Sequence, residues 1–250
     1  MLKREPLLSD VYFDEAIAFY KNTLERDETA LATAPEQFAK PAVIARYIFS
    51  RRQVLLMAEY SRGYTLEALR STFPRIIEAW EQLHAIDVDG AFPGAFTSSL
   101  DHYVRALWLL SQAYLLGVEP AILQRTLACI GNESQDLLFE RLVTRLLPDV
   151  PRKPAKKLLY PKAYQPLYDA LDAPAAEQAT LMQQFVKNWY KRMSKAAWYN
   201  NHKGPEGGGF FGYWCWEAAG VTVTFGIDDS SFRDLPYYPK DLADFARTPG

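Results

Sequence analysis

Cysteine is nearly missing from this chain, with two in 250 residues. Cys129 and Cys215 lie far apart and among apolar neighbours, a usage that fits reduced, buried thiols in the cytosol better than a disulfide framework. Histidine is as scarce. His84, His102 and His202 stand alone, with no H-E-x-x-H and no paired cysteine ligands, so neither a metal nor a metal cofactor is expected. His102, beside Asp101 in the first turn of a helix, reads as a hydrogen-bonded structural residue. No apolar run approaches the ~18 residues that would span a bilayer. The opening "MLKREPLLSDVYFDEAI" has charges where a signal peptide carries its apolar stretch. A soluble cytoplasmic protein with no membrane partner is expected. Excess positive charge is lacking too: 28 Lys and Arg against 30 Asp and Glu leave a formal net charge of −2. Such a chain has no global positive field of the kind a nonspecific nucleic-acid binder needs. A G-x-x-x-x-G-K-[ST] phosphate loop and a G-x-S-x-G nucleophile elbow are also missing.

What is abundant is apolar and aromatic surface, at 49% and 14% of residues. A globular chain of this size buries roughly three-quarters of the surface its unfolded form exposes, which suits one large domain or two small ones. Charge is spread unevenly. Asp10, Asp14, Glu15, Glu25, Asp27, Glu28 and Glu36 face only Lys21 and Arg26 as bases within 10–36. Between Arg152 and Lys195 the balance reverses, with nine bases and three acids. Each run reads as a solvated helix face or as a charged docking surface.

The periodicity is helical almost throughout. Phe13, Ile17, Tyr20 and Leu24 step by 4, 3 and 4, one face of a helix. Ile44, Tyr47, Ile48 and Leu55 mark a second, with Pro41 in its first turn and Gly63 past its end. A third starts near Thr65 and carries Leu69, Phe73, Ile77 and Trp80, with Pro74 kinking or splitting it. In "FTSSLDHYVRALWLLSQAYLLG" Ser98 and Asp101 have capping-box spacing, and Gly117 sits where a C′ glycine belongs. Apolar residues cover most of that helix, so it should be central. Pro120 opens a short helix ending at Gly131, and Asn132 is placed to cap the next. "PDVPRKPAKKLLYPKAYQP", from Pro148 to Pro166, reads as a surface connector. Asp172 and Pro174 then open a long helix bearing Leu181, Phe185, Trp189 and Met193, which "NNHKGPEGGG" breaks. The expectation is an all-α, multi-helix antiparallel bundle or array of about eight to ten helices. It divides into a 1–131 region and a 132–250 region packed as one globular unit.

The C-terminal "GYWCWEAAGVTVTFGIDDSSFRDLPYYPKDLADFAR" is harder. Val221, Val223 and Phe225 alternate with Thr222 and Thr224 as in a strand, while Trp214, Ala218, Val221 and Phe225 step as in a helix. A lone strand cannot satisfy its backbone groups, and no second alternating run offers a partner. A helix over about Phe211–Phe225, ended by Gly226, is favoured, with a short terminal helix from near Pro239. Asp228, Asp229 and Asp234 have the chemistry for a divalent cation or a general acid/base pair. The structural reading is favoured: Asp228 or Asp229 caps the next short helix, the hydroxyls of Ser230 and Ser231 satisfy turn amides, and Arg233 supplies a counter-charge. Cys215, between Trp214 and Trp216, reads as a packed thiol whose surroundings raise its pKa. "GGGFFG" matches G-x-G-x-x-G, but "WYNNHKGPE" before it is no strand, so a loop is favoured over a dinucleotide site. Tyr160, Tyr164, Tyr168, Trp189 and Tyr190 interleave with the bases of 152–195, the composition of a single-strand binder. Trp189, however, falls on the apolar face with Phe185 and Met193.

The C-terminal string resembles the signature of the PoNi-type immunity proteins. The match runs through Tyr213, Trp214, Glu217, Ala218, Ala219, Asp228 to Ser231, Arg233, Asp234 and Tyr237 to Leu242, including Tyr238 and Pro239. The stretch from "FDEAIAFYKNTLE" to "YLLG" is similar to the family's other region, so the resemblance covers most of the chain. It departs from the pattern at Gly220, where a bulkier apolar residue is usual. The resemblance implies an all-helical, non-catalytic antidote without cofactor. Its partner would be a cognate DNase toxin of interbacterial competition, typically delivered by type VI secretion and neutralised by direct binding rather than through nucleic acid. A DNase presents a positive surface to phosphate, so acids on the antidote are the candidate contacts: Asp14, Glu15, Glu25, Asp27 and Glu28 near the N-terminus, and Asp228, Asp229, Asp234 and Asp241 near the C-terminus. Trp214, Trp216, Glu217, Ser230, Ser231, Arg233, Tyr237, Tyr238 and Pro239 are expected to maintain the fold. Two other readings remain open: a metal-dependent hydrolase using the C-terminal aspartates, and a nucleic-acid-binding helical module using Lys156, Lys157, Lys191 and Arg192. A homo-oligomer is compatible with all three.

Overall fold

The computed structural model describes residues 2–87 and 94–248. Among them the regular structure is helical, with eleven α-helices, three short 3₁₀ turns and no strand. The strand pattern at 221–225 is thus helical backbone, as the residue steps favour. The Cα positions divide into two compact units, Met1–Pro93 with Asn200–Gly212, and Gly94–Tyr199 with Tyr213–Gly250. The boundary expected between residues 131 and 132 falls inside the second unit.

In the first unit, α1 (Asp10–Thr33) begins where the Ser9 side chain accepts the Tyr12 amide at 3.1 Å. It buries Phe13, Ile17, Leu24 and Leu31 against α2 (Pro41–Arg62). Ion pairs link Asp14 to Arg62, Lys21 to Glu59, Asp27 to Arg51 and Glu28 to Arg52. From the first pair to the third, one partner's number rises as the other's falls, so α1 and α2 are antiparallel. The expected third helix is two: α3 (Leu66–Thr72), capped by Thr65, and α4 (Pro74–Ile86). Pro74 has no amide to continue the ladder, and it occupies the first position of α4, where none is needed. The later segment 200–212 also belongs here. Tyr12 donates its hydroxyl to the Phe210 carbonyl at 2.8 Å, and Ser61 donates to the Phe211 carbonyl at 2.6 Å.

In the second unit, α5 (Leu100–Leu115) packs against α6 (Pro120–Ile130), α10 (Trp216–Phe225) and α11 (Lys240–Arg247), the central place its all-round apolar surface predicts. Trp108 meets Glu217, and one turn later Ser111 meets Gly220, so α5 and α10 run in the same direction where they touch. A Cβ on Gly220 would lie 2.5 Å from Ser111 Oγ and 2.8 Å from its Cβ. The departure at Gly220 therefore has a packing cause: this helix pair approaches too closely for a side chain there.

Four local expectations are corrected. The cap of α5 is Ser99, which accepts the Asp101 amide; Ser98 instead bonds the Ala95 carbonyl and His102 Nδ1. Asn132 does not cap α7 (Leu137–Leu146); Asp136 does, while Asn132 ties Phe96 to Ile130 through its amide. The connector ends at Tyr160, because α8 (Pro161–Asp172) includes Pro166. Pro166 cannot donate to the Lys162 carbonyl four residues back, and Arg192 of α9 (Ala175–Arg192) does so at 3.0 Å. Finally, α10 begins at Trp216 rather than Phe211, since the Cys215 amide is taken by the Tyr237 carbonyl at 2.8 Å.

Candidate partner-binding surfaces

The C-terminal signature is built around one buried carboxylate. Glu217, in the first turn of α10, is 0% exposed. Its Oε1 accepts the Trp189 indole N–H at 2.7 Å and the Tyr164 hydroxyl at 3.0 Å, and its Oε2 accepts the Trp108 indole N–H at 2.9 Å. Burial raises the Glu217 carboxyl above its ordinary range, against the pull of these donors. Burial likewise pushes the Cys215 thiol well up, leaving it a packed and inert group. Trp214 and Trp216 are buried beside it. Cys129 and Cys215 are both buried and form no disulfide. The pattern contained Glu217 but not its donors. The available signal was that buried indole and phenol groups need acceptors, and α5, α8 and α9 each bring one.

The aspartate cluster that follows is a closed turn. Asp228 accepts the Ser230 amide at 3.0 Å and its hydroxyl at 2.9 Å, and the amide contact holds its carboxyl below the usual range. Asp229 is buried and receives Arg233 at 3.2 Å, Arg247 at 2.9 Å and the Tyr238 hydroxyl at 3.0 Å. Burial, with Asp229 beside it, pushes the Tyr238 phenol up. The Ser231 carbonyl accepts from Gln183 at 2.6 Å, and Arg233 reaches on to Asp244. Asp234 is exposed and paired with Lys240, Asp241 bonds the Leu242 amide, and Pro239 precedes α11. Tyr237 holds a φ of 72° with its ring stacked on Tyr190. The structure thus brings Asp228 and Asp229 together as a cap and leaves Asp234 and Asp241 outside it. Two guanidinium groups already neutralise Asp229, which makes it a poor cation ligand. Among the described residues no group of three or more His, Cys, Asp or Glu is placed to hold a metal ion.

The acids of α1 divide by face. Asp27 is buried against Arg26 and Arg51, and Glu28 is half-buried against Arg52. Asp14 is exposed, and the Arg62 guanidinium lowers its pKa. Glu15 and Glu25 are exposed and make no ion pair among the described residues. Sequence reasoning passed over the apolar members of this outer face, Val11 and Phe19.

The basic span carries fewer available aromatics than its composition suggests. Tyr164 and Trp189 are buried on Glu217, Tyr160 donates to the Phe96 carbonyl, and Arg152 grips Glu140 in two bonds. "GGGFFG" is a packed turn rather than a free loop. At Gly207, with a φ of 79°, a Cβ would lie 2.4 Å from the Tyr12 ring. No helix of the described residues is long and apolar enough to cross a membrane.

Comparison with known proteins adds three findings. The model of the "PoNe immunity protein (PoNi), N-terminal" family matches residues 4–128, and that of "PoNe immunity proteins (PoNi), C-terminal" matches residues 134–242. No curated protein matches. The crystal structure of protein PA2201 from Pseudomonas aeruginosa is similar in fold, with a TM-score of 0.76 at 18% identity, covering 98% of this chain and 92% of that one.

Proposed function

We propose, because this chain belongs to the family of PoNe immunity proteins, that it binds a cognate secreted DNase toxin and neutralises it by direct protein–protein contact. The observation that carries this reading is the pair of family matches, which span the chain almost end to end. On this reading the chain acts in the cytoplasm of the cell it protects, as an antidote rather than an enzyme. Interbacterial delivery of the toxin, typically by type VI secretion, is the setting that the resemblance implies.

The physical expectation is electrostatic. A nuclease holds phosphate on a positive surface, and acids on an inhibitor raise the association rate and exclude wrong partners. The candidate contacts are Asp14, Glu15, Glu25, Asp27 and Glu28, with Asp228, Asp229, Asp234 and Asp241. Their present engagements rank them. Glu15, Glu25 and Asp234 meet solvent, whereas Asp27 and Asp229 would first have to release arginines. Co-expression with the toxin-like product of the adjacent gene tests the reading. Protected cells and a co-purifying complex are expected. Cells that die despite abundant folded antidote, with no complex recovered, refute it for that pair.

A further inference from the structure

The first unit exposes apolar surface that its fold does not require. Among the described residues, the large hydrophobic side chains left exposed are Leu2, Leu7, Val11, Phe19 and Tyr47, and all five lie in this unit. Scattered single exposures are ordinary. Two of these are not scattered. Val11 and Phe19 are 63% and 61% exposed and stand on the outer face of α1, with Glu15 midway between them. The spacing of four residues places the three in one line along two turns. Ala18, Asn22 and Glu25 continue the same solvent face.

Neither the packing nor the charges of the unit use this line. The inward stripe of Phe13, Ile17, Leu24 and Leu31 already meets α2. The ion pairs that hold α1 to α2 use Asp14, Lys21, Asp27 and Glu28, and leave out Glu15 and Glu25. The outer face is therefore an aromatic ring and a valine with one uncommitted carboxylate, Glu15, between them; Glu25 lies off this line, and the exposed Arg26 on it is turned onto Asp27. An aromatic anchor inside a charged rim is the composition of a protein-binding hot spot.

We propose that this face of α1 is where the chain docks its toxin, with Phe19 inserted into an apolar pocket beside the basic, phosphate-binding surface of the nuclease domain. The proposal rests on the reading of the chain as a DNase antidote and deepens it. Charge selects that occupant: the uncommitted group beside the anchor, Glu15, is negative, and a nuclease's phosphate-binding surface is positive. Phe19 supplies lifetime and Glu15 supplies steering.

The test is surface-based kinetics between the full chain and a catalytically silenced form of the adjacent gene's toxin, in low and physiological salt. Phe19→Ala is expected to speed dissociation and weaken binding by roughly 30-fold or more. Glu15→Lys is expected to slow association and flatten its salt dependence. Val11→Ser serves as an independent second probe, expected to weaken binding by a smaller factor. Thermal unfolding identical to the parent shows that each variant is folded. If the parent binds and all three variants stay within about twofold of it, the α1 surface is wrong and the antidote reading stands. If the parent does not bind the toxin at all, the antidote reading fails for that pair and the surface proposal falls with it. If sedimentation shows self-association that Phe19→Ala abolishes, the occupant is a second copy of the chain and the proposal is overturned.

Discussion

Adding one methyl group at residue 220 sets two known effects against each other. In an isolated helix, Gly→Ala stabilises by about 1 kcal/mol. In this structure the new Cβ would sit 2.5 Å from Ser111 Oγ and 2.8 Å from Ser111 Cβ, and α5 is hemmed by α6 and α11 on other sides. Overpacking of that kind costs about 1–3 kcal/mol. Gly220→Ala should therefore come out between neutral and about 2 kcal/mol destabilising, despite its better helix propensity. The decisive comparison is the same change in a Ser111→Gly background. There the nearest remaining Ser111 atom is the Cα, 3.4 Å from the new methyl, an ordinary contact. The overlap is gone, and the alanine should stabilise by about 1 kcal/mol. A double-mutant cycle from urea unfolding, followed by tryptophan fluorescence and by helical circular dichroism, should show a coupling of about 1–3 kcal/mol. An alanine that stabilises equally in both backgrounds would refute the close-approach explanation of Gly220.

Three other outcomes follow from the C-terminal half. Glu217→Gln keeps an oxygen for Trp189 and Tyr164 but turns an N–H toward the Trp108 indole N–H, and should cost about 1–3 kcal/mol at acid pH. Burial raises the folded-state pKa of Glu217, so the parent loses stability as pH climbs from the unfolded carboxyl value near ~4.3 through the folded one. The glutamine variant lacks that loss. The gap between their urea midpoints should narrow from acid to neutral pH, and a gap that widens would contradict the burial argument. Asp229→Asn removes the counter-charge of two partly exposed arginines and should destabilise by about 1–3 kcal/mol, read from thermal unfolding. Calorimetric titration of the parent with Mg²⁺, Mn²⁺ and Zn²⁺ should give no stoichiometric heat. A stoichiometric site lost in Asp228→Ala and Asp229→Ala would revive the hydrolase reading.

Where periodicity is local, the sequence was a sound guide. Thr65 and the Phe13–Ile17–Leu24 stripe put their helices in place, and the bare apolar girth of 100–115 marked the central one. Two of the four misplacements have distant causes, whereas the caps Ser99 and Asp136 are local residues that the pattern passed over. Pro166 sits inside a helix only because Arg192 reaches the carbonyl it leaves bare. Residues 213–215 stay outside the helix because the Cys215 amide meets a carbonyl on Tyr237. The acidic run raised a subtler problem. Spacing tells which face an acid occupies but not whether an arginine on the next helix already holds it, so Asp27 and Glu15 looked alike. Phe19 was legible in principle, since it falls off the inward stripe, yet a search for charge passed over it.

The return of residues 200–212 to the first unit has a consequence for the order of synthesis. The N-terminal helices leave the ribosome without the segment that seals Tyr12 and Phe13, and residues 94–199 must be made before that segment appears. At typical elongation rates this interval lasts on the order of ten seconds. During it the nascent chain carries an open apolar seam. A stop codon after residue 93 would make the vacancy permanent, so the N-terminal helices alone should emerge as a sticky, chaperone-dependent fragment rather than as a miniature of the antidote.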